Sequence, residues 1–345
     1  MAASALEELV PRIAEVAPRV RIAQLPTPVH ALDETTGTWI KRDDLTSDRY
    51  GGNKVRKLEF LLARAQHEQA DRLLTIGAIG SHHALATTVH GSALGFDVSL
   101  ALLPQPLTPH VREVLTTAAA HGAVIRVTRS AAGIPLAVLA TRIAHWRERV
   151  HTIPAGGSDG LGTLGYVEAA LELARQQRAG DCPAFAEVHV AGGTLGTAAG
   201  LALGFELAGV PTRIVAHRIT VRAITNERTA RRLVDDALVL LSRAGAARLP
   251  QTERVLARLR IAHDQIGAGY GHATDGGRAA LDWFAGHGIA LDATYTAKAA
   301  AGFLAGAGAA EQPRLFWHTL SATLPEPMPV LDPARQPKRV RRILG

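Results

Sequence analysis

Apolar residues recur at helical spacing at Leu6, Leu9, Val10, Ile13 and Val16, with acids between them, and predict an amphipathic helix over 5–17. Pro26-Thr27-Pro28 breaks that pattern, and Thr38 to Lys41 reads as a short strand. After a loop ending in Gly51-Gly52-Asn53-Lys54, apolar positions from Val55 to Leu62 open a helix that runs to about Gln69. A strand over 73–76, a tight turn at Gly77 to Ser81, a helix from His82 to about Leu94 and a strand over 98–102 form a β-α-β unit. Such a unit requires parallel strands and a right-handed crossover. Helices follow over 109–121 and 135–148, with a strand over 124–127 between them. Pro154 to Ser158 is a glycine-rich loop, and 163–179 reads as helical. A strand over 186–190 runs into Gly192 to Thr197 and then a small-residue helix to about Leu207. A strand over 213–216, a mostly helical region to 260 and a last strand over 314–318 complete the pattern. No repeat of fixed period is present, and the expected class is α/β with two open parallel sheets.

Composition narrows the function. At 345 residues, 47% apolar, the chain can bury one large α/β core or two ordinary ones and is not a disordered segment. No run of about 18 uninterrupted apolar residues is present to span a membrane. The single cysteine, Cys182, excludes a disulfide framework and a cysteine-cluster metal site; it has no evident partner and is read as inert. His82, His83 and His90 lack the i, i+4 spacing of a helical zinc pair, so no metal is expected. His217 and His318 end apolar strands and are read as buried polar groups. The N-terminus, interrupted by Glu7, Glu8 and Glu15, does not resemble a signal peptide, and a soluble cytoplasmic enzyme is the expectation.

A net charge of +7 raises the question of nucleic acid. The one dense basic run, Lys338, Arg339, Arg341 and Arg342, lies in a 331–345 tail read as solvated, and aromatics are only 4% of the chain. Stacking platforms are therefore too scarce for nucleic-acid binding. Lysine is confined to Lys41, Lys54, Lys57, Lys298 and Lys338, every other basic residue being arginine. Lysine can form a Schiff base and arginine cannot. Lys41 and Lys338 are read as incidental, whereas Lys54 in Gly-Gly-Asn-Lys is a candidate for that chemistry.

Three turns sit where parallel strands enter helices: Ile79-Gly80-Ser81, Pro154 to Ser158, and Gly192 to Thr197. Ligands bind at such carboxyl ends. In the last, glycines let the backbone approach closely, a helix N-terminus offers free N–H groups, and Thr194 and Thr197 add hydroxyls, which suits a phosphate. Neither the dinucleotide G-x-G-x-x-G fingerprint nor a P-loop is present. A phosphate site beside a candidate Schiff-base lysine points to pyridoxal 5′-phosphate. A nucleotide-binding dehydrogenase would account for Gly192 to Gly200 and not for Lys54.

Gly51-Gly52-Asn53-Lys54-Val55-Arg56-Lys57-Leu58-Glu59 resembles the cofactor-lysine segment of the D-cysteine desulfhydrase and 1-aminocyclopropane-1-carboxylate deaminase family. Lys41 to Leu45, Ile79 to His83, Ile153 to Ser158, Gly162 to Tyr166, Gly267 to Gly271 and Leu291 to Lys298 agree with it in order. The resemblance implies the tryptophan-synthase-β-like, fold-type-II architecture: α/β, with two open parallel-sheet three-layer domains. The smaller, cofactor-lysine domain would be 51–165, inserted into a larger phosphate-binding domain of 1–50 and 166–330. It implies that Lys54 carries the cofactor, with Asn53 beside it. Gly193, Thr194, Leu195, Gly196 and Thr197 would hold the phosphate. Ser81 and the N–H groups of its turn would receive the substrate carboxylate, with His82, His83, Tyr270 and Tyr295 also at the substrate; Ser81, Tyr270 and Tyr295 would join Lys54 in catalysis, and His82, Thr296 and Thr319 would contact the cofactor. A homodimer is implied as well. In the family pattern, deaminases carry glutamate and leucine where this chain has Thr296 and Thr319, and desulfhydrases carry threonine-like residues. The resemblance therefore implies β-elimination, D-cysteine giving pyruvate, ammonia and sulfide. Ring opening of 1-aminocyclopropane-1-carboxylate, loss of sulfite from cysteate, and a non-catalytic cofactor-binding paralogue are the alternatives. The chain departs from the pattern at His82, where asparagine is usual as a donor to the cofactor's ring oxygen, at Ala297, and at Leu320-Ser321 in place of Gly-Gly.

Overall fold

The computed structural model describes residues 3–306, 312–325, 336–337 and 340–341. The single N-terminal helix of the sequence pattern is two short ones, α1 (Ala5–Leu9) and α2 (Ile13–Val16). Pro11 has no N–H to continue the first and its ring crowds the preceding turn. A capping box at Ser4 and Glu7 starts α1. Then come β1 (Val29–Asp33), β2 (Thr38–Arg42), α3 (Lys54–His67), β3 (Arg72–Ala78), α4 (His82–Ala93), β4 (Asp97–Leu103), α5 (Pro109–Ala120), β5 (Val124–Val127), α6 (Ile134–Ala144), β6 (Val150–Ile153) and α7 (Gly160–Ala179). The order closes with β7 (Glu187–Gly192), α8 (Gly196–Leu207), β8 (Arg213–Arg218), α9 (Glu227–Arg243), α10 (Thr252–Leu256), β9 (Leu259–Ala262), α11 (Asp275–Ala285), α12 (Thr296–Ala305) and β10 (Arg314–His318).

Ten strands form two sheets among the described residues. One has the order β1-β2-β10-β7-β8-β9, the other β5-β4-β3-β6. The second is parallel throughout. The first departs from the expectation of a wholly parallel sheet, because β1 folds back antiparallel onto β2. β1, β6 and β9 are additions to the sequence reading, and β9 ends what had read as a helical region.

In each sheet the strand order reverses at one point. β7 lies between β8, reached through α8, and β10; β3 lies between β4, reached through α4, and β6. A crevice opens at such a switch point. Ser158, beyond β6, hydrogen-bonds Thr194, beyond β7, at 2.6 Å, so the carboxyl ends of the two sheets meet there.

A buried ionic network fixes α3 against the six-stranded sheet. Asp43 accepts hydrogen bonds from Arg56, Thr27, Tyr166 and Trp317, and Arg56 also donates to Glu172. Lys41 is fully buried, donating to Glu172 at 2.7 Å, and is therefore structural rather than incidental. The C-terminal tail is not simply solvated either. Gln336 bonds the backbone of Ala123 and Ile125 at the β5 edge, and Val340 is buried in the core of the four-stranded sheet. Lys338, Arg339 and Arg342 lie outside the described residues. Among the described residues no helix is long and apolar enough to cross a membrane.

Candidate active site

Lys54 opens α3 directly after the Gly51-Gly52 turn. Gly52 has φ +86°, and a Cβ there would lie 2.7 Å from the Thr319 carbonyl oxygen. Only glycine fits that turn without strain. It lets the chain pass close enough to the loop after β10 for the Asn53 N–H to donate to the same carbonyl at 3.2 Å. Lys54 Nζ donates to Asn53 Oδ1 at 2.7 Å, and Asn53 Nδ2 donates to Thr197 Oγ1 at 3.0 Å. The lysine is thus linked through one amide to the first turn of α8. Burial pulls its amine down to about 8, against the opposing charge of Asp292.

The β7–α8 turn forms an anion cup. Leu195, the N-cap of α8, takes a left-handed conformation at φ +63°, unusual for a residue with a side chain. A Cβ on Gly196 would lie 2.6 Å from Ser158 Oγ and 2.8 Å from Lys57 Nζ, so the space above this helix end exists because the residue is glycine. Lys57 Nζ donates to Gly156 O and Ser158 Oγ, both at 3.1 Å. Burial, with repulsion from Lys54, pushes Lys57 well below its ordinary value despite the pull of Asp159. The sequence reading had not singled out Lys57. Its signal was the three-residue spacing from Lys54, which puts both amines on one helix face.

Opposite the cup, Ser81 caps α4, its Oγ accepting the Ala84 N–H at 3.2 Å and keeping its own hydrogen for another partner. The adjoining wall is aromatic. The His82 and Tyr295 rings meet edge to face with centroids 6.0 Å apart, and the Tyr295 and Tyr270 hydroxyls share a hydrogen bond. Lys298 Nζ holds the loop that carries Tyr270 by donating to Ile266 O and Gly269 O, both at 2.8 Å. Burial raises Tyr270 to about 12 and pushes Tyr295 well above the ordinary phenol value, so both are neutral phenols near pH 7. Asp292, also unforeseen, sits beneath them. Against the upward pull of burial, His82 and the N–H groups of Thr296 and Tyr295 hold its carboxyl below the usual range.

Not every candidate reaches this chamber with a free group. His83 Nε2 lies 3.0 Å from Thr75 Oγ1 on the sheet. Thr296 Oγ1 is engaged with Asp292, donating to its carboxylate at 2.7 Å and accepting its N–H at 2.8 Å. Thr319 contributes its carbonyl to the lysine turn. Both ring nitrogens of His82 face protein partners, Tyr50 at 2.6 Å and His110 at 3.3 Å.

Residues 20–319 match the family described as pyridoxal-phosphate dependent enzyme. Over 319 residues the chain is 34% identical to a D-cysteine desulfhydrase of Salmonella schwarzengrund, covering 88% of this chain and 93% of that protein. A D-cysteine desulfhydrase of Salmonella paratyphi C is 35% identical over the same span and shares. Among solved structures, an ACC deaminase homologue superposes with a TM-score of 0.76 at 30% identity, over 90% of this chain and 94% of that one. A threonine deaminase isoform of Solanum lycopersicum superposes with a TM-score of 0.57 at 16% identity, over 92% and 85% of the two chains, a likeness of fold alone.

Proposed function

Because this chain belongs to the pyridoxal-phosphate-dependent enzyme family, we propose that it is a lyase that removes the β-substituent of a small amino acid, converting D-cysteine and one water to pyruvate, ammonia and sulfide. The chamber fits the cofactor on its own chemistry. A depressed amine at Lys54 suits an aldehyde, and the cup of Gly193 to Thr197 suits a phosphate, with the buried Lys57 amine facing it without a carboxylate in ion-pair reach among the described residues. Bound there, pyridoxal phosphate supplies an electron sink for the charge released when a bond to Cα breaks.

The side chains supply the rest. Lys54 Nζ would take the Cα proton; its lowered affinity for protons leaves a usable fraction of free base near neutral pH. Ser81 and the free N–H groups at the start of α4 receive the substrate carboxylate. The neutral Tyr270–Tyr295 pair walls the space beside the β-substituent without adding charge. The observation that carries the reading is the single line of hydrogen bonds from Lys54 through Asn53 to Thr197, which ties the reactive amine to the phosphate cup. Likeness to the two desulfhydrases supports sulfide as the leaving group.

We read 51–165 as a smaller domain inserted into one formed by 1–50 and 166–330, the active protein as a homodimer, and its setting as the cytoplasm, since one buried cysteine needs no oxidising compartment. The purified protein should carry a visible absorption band that borohydride abolishes, and it should release pyruvate and sulfide from D-cysteine. Lys54→Ala should lose the band and the activity together. A coloured protein that releases keto acid from no D- or L-β-substituted amino acid would end the lyase reading.

A further inference from the structure

Tyr50, His82 and His110 come from three separate segments: the loop before Gly51, the first turn of α4 and the first turn of α5. They form one line. The Tyr50 hydroxyl lies 2.6 Å from His82 Nδ1, and His82 Nε2 lies 3.3 Å from His110 Nε2. His110 Nδ1 stands 3.7 Å from Glu113 Oε2. Tyr50 is 1% exposed, whereas the His110 and Glu113 side chains are 41% and 52% exposed, so the line runs from the interior to solvent. Its inner part adjoins the Lys54 chamber, because the His82 ring meets the Tyr295 ring edge to face with centroids 6.0 Å apart and Tyr50 directly precedes the Gly51-Gly52 turn that presents Lys54.

The chemistry of the line is specific. A neutral imidazole donates at one nitrogen and accepts at the other, and a phenol does both. The line can therefore be ordered in two directions. In one, Tyr50 O–H donates to His82 Nδ1 and His82 Nε2–H donates to His110 Nε2; in the other, each bond is reversed. Burial, which outweighs the attraction of Asp292, brings His82 down to about 4, so it rests neutral and both orders are open to it. Asparagine, usual at this position in the resembling family, cannot relay a proton by exchanging tautomers.

We propose that this line carries protons between the Lys54 chamber and solvent, with His110 as its outer station. In the inward direction a proton from a buffer acid binds His110 Nδ1. The His110 Nε2–H bond breaks as the proton passes to His82 Nε2. The His82 Nδ1–H bond breaks as the Tyr50 oxygen accepts, and the former Tyr50 hydroxyl proton passes to the free amine of Lys54, where a third N–H bond forms. One proton moves, every bond broken is matched by one formed, and each ring ends neutral in its other tautomer. The outward direction is the reverse. The elimination reading, on which the use of this line rests, places the Cα proton on Lys54, and that amine must be reset in every turnover.

The test compares holoenzyme with His110→Ala and with His110→Gln, which keeps a polar side chain that cannot relay. Two rates are read: pyruvate release from D-cysteine, and exchange of the Cα hydrogen of D-alanine with D2O, which needs no leaving group. Both variants should slow both rates at least about tenfold with KM little changed, and free imidazole in the buffer should restore most of the loss in His110→Ala. In cofactor-free protein, 15N imidazole spectra should show His82 exchanging between both tautomers, and locked in one in either variant. Wild-type exchange rates in the variants, failure of imidazole to restore them, or a single locked His82 tautomer in the wild type would each overturn the proposal. If D-cysteine yields no keto acid while D-alanine exchange is slowed and rescued, the elimination reading falls and the proton line stands.

Discussion

Lys54 is useful for the same reason that it is costly. Its amine is driven down to about 8 by loss of solvent, with Asp292 only partly opposing. The unfolded chain holds the same proton to about 10.5. Between these values the unfolded state binds more protons than the native state, so stability rises with pH through that window. Below pH 8 the native protein carries the full penalty of a charged, desolvated amine. Lys54→Met should therefore stabilise cofactor-free protein at pH 7, and its advantage should shrink by about 3 kcal/mol by pH 10.5. Urea denaturation of the two cofactor-free proteins at the two pH values measures this, and a gap independent of pH would remove the argument. Lys54 was legible because lysine is rare in this chain and two glycines precede it. Lys57 was not, because its role depends on a loop 99 residues away delivering Gly156 to its amine. Lys41 read as incidental, since nothing near it in sequence announces Glu172, its partner across 131 positions.

At the scale of elements, the turn that presents Lys54 is held from behind. Arg56, two residues on, is clamped by Asp43 at the end of β2 and by Glu172 on α7, and Trp317 on β10 donates to the same aspartate. Asp43→Asn would leave the Arg56 charge short of a partner in a fully buried position. Removing one member of such a pair costs about 3–5 kcal/mol, and the urea midpoint should fall accordingly. Glu68→Gln breaks surface contacts with Arg64 and His151 and should change stability by less than about 1 kcal/mol. Equal effects from the two would refute the ranking. The same distinction between inside and edge explains which elements the sequence revealed. β7, β8 and β10 carry buried apolar runs and were found with nearly their observed bounds. β1, β6 and β9, which were missed, are all sheet-edge strands with mostly half-buried residues and no clean alternation. The antiparallel return of β1 follows from a short hairpin after Pro28, a matter of turn geometry rather than hydrophobic pattern.

At the scale of the whole molecule, two sheets present their switch points to each other, and the chamber is what lies between. The sequence pattern placed three candidate ligand loops at strand carboxyl ends. That pattern could not order the strands, because β10 enters between β2 and β7 from the far end of the chain. One surface stands apart from this plan. α6 exposes Leu136 at 69%, Leu139 at 53% and Ile143 at 63%, with Trp146 at 72% just beyond its end. Their spacing of three, four and three residues is that of a helix–helix seam, which calls for another helix as its cover. Among the described residues no element of this chain covers it, and a second copy related by a two-fold axis would bring the same stripe to the same stripe. The opposite side of α6 is left untouched by changes on this stripe, since its buried Thr141 faces inward. If the proposed homodimer forms through α6, Leu139→Glu combined with Trp146→Glu should convert it to a folded monomer, because the axis would set like charges against each other where water is excluded. A wild-type chain that sediments as a monomer would end the homodimer proposal, and a double variant that remains dimeric would place the contact somewhere other than α6.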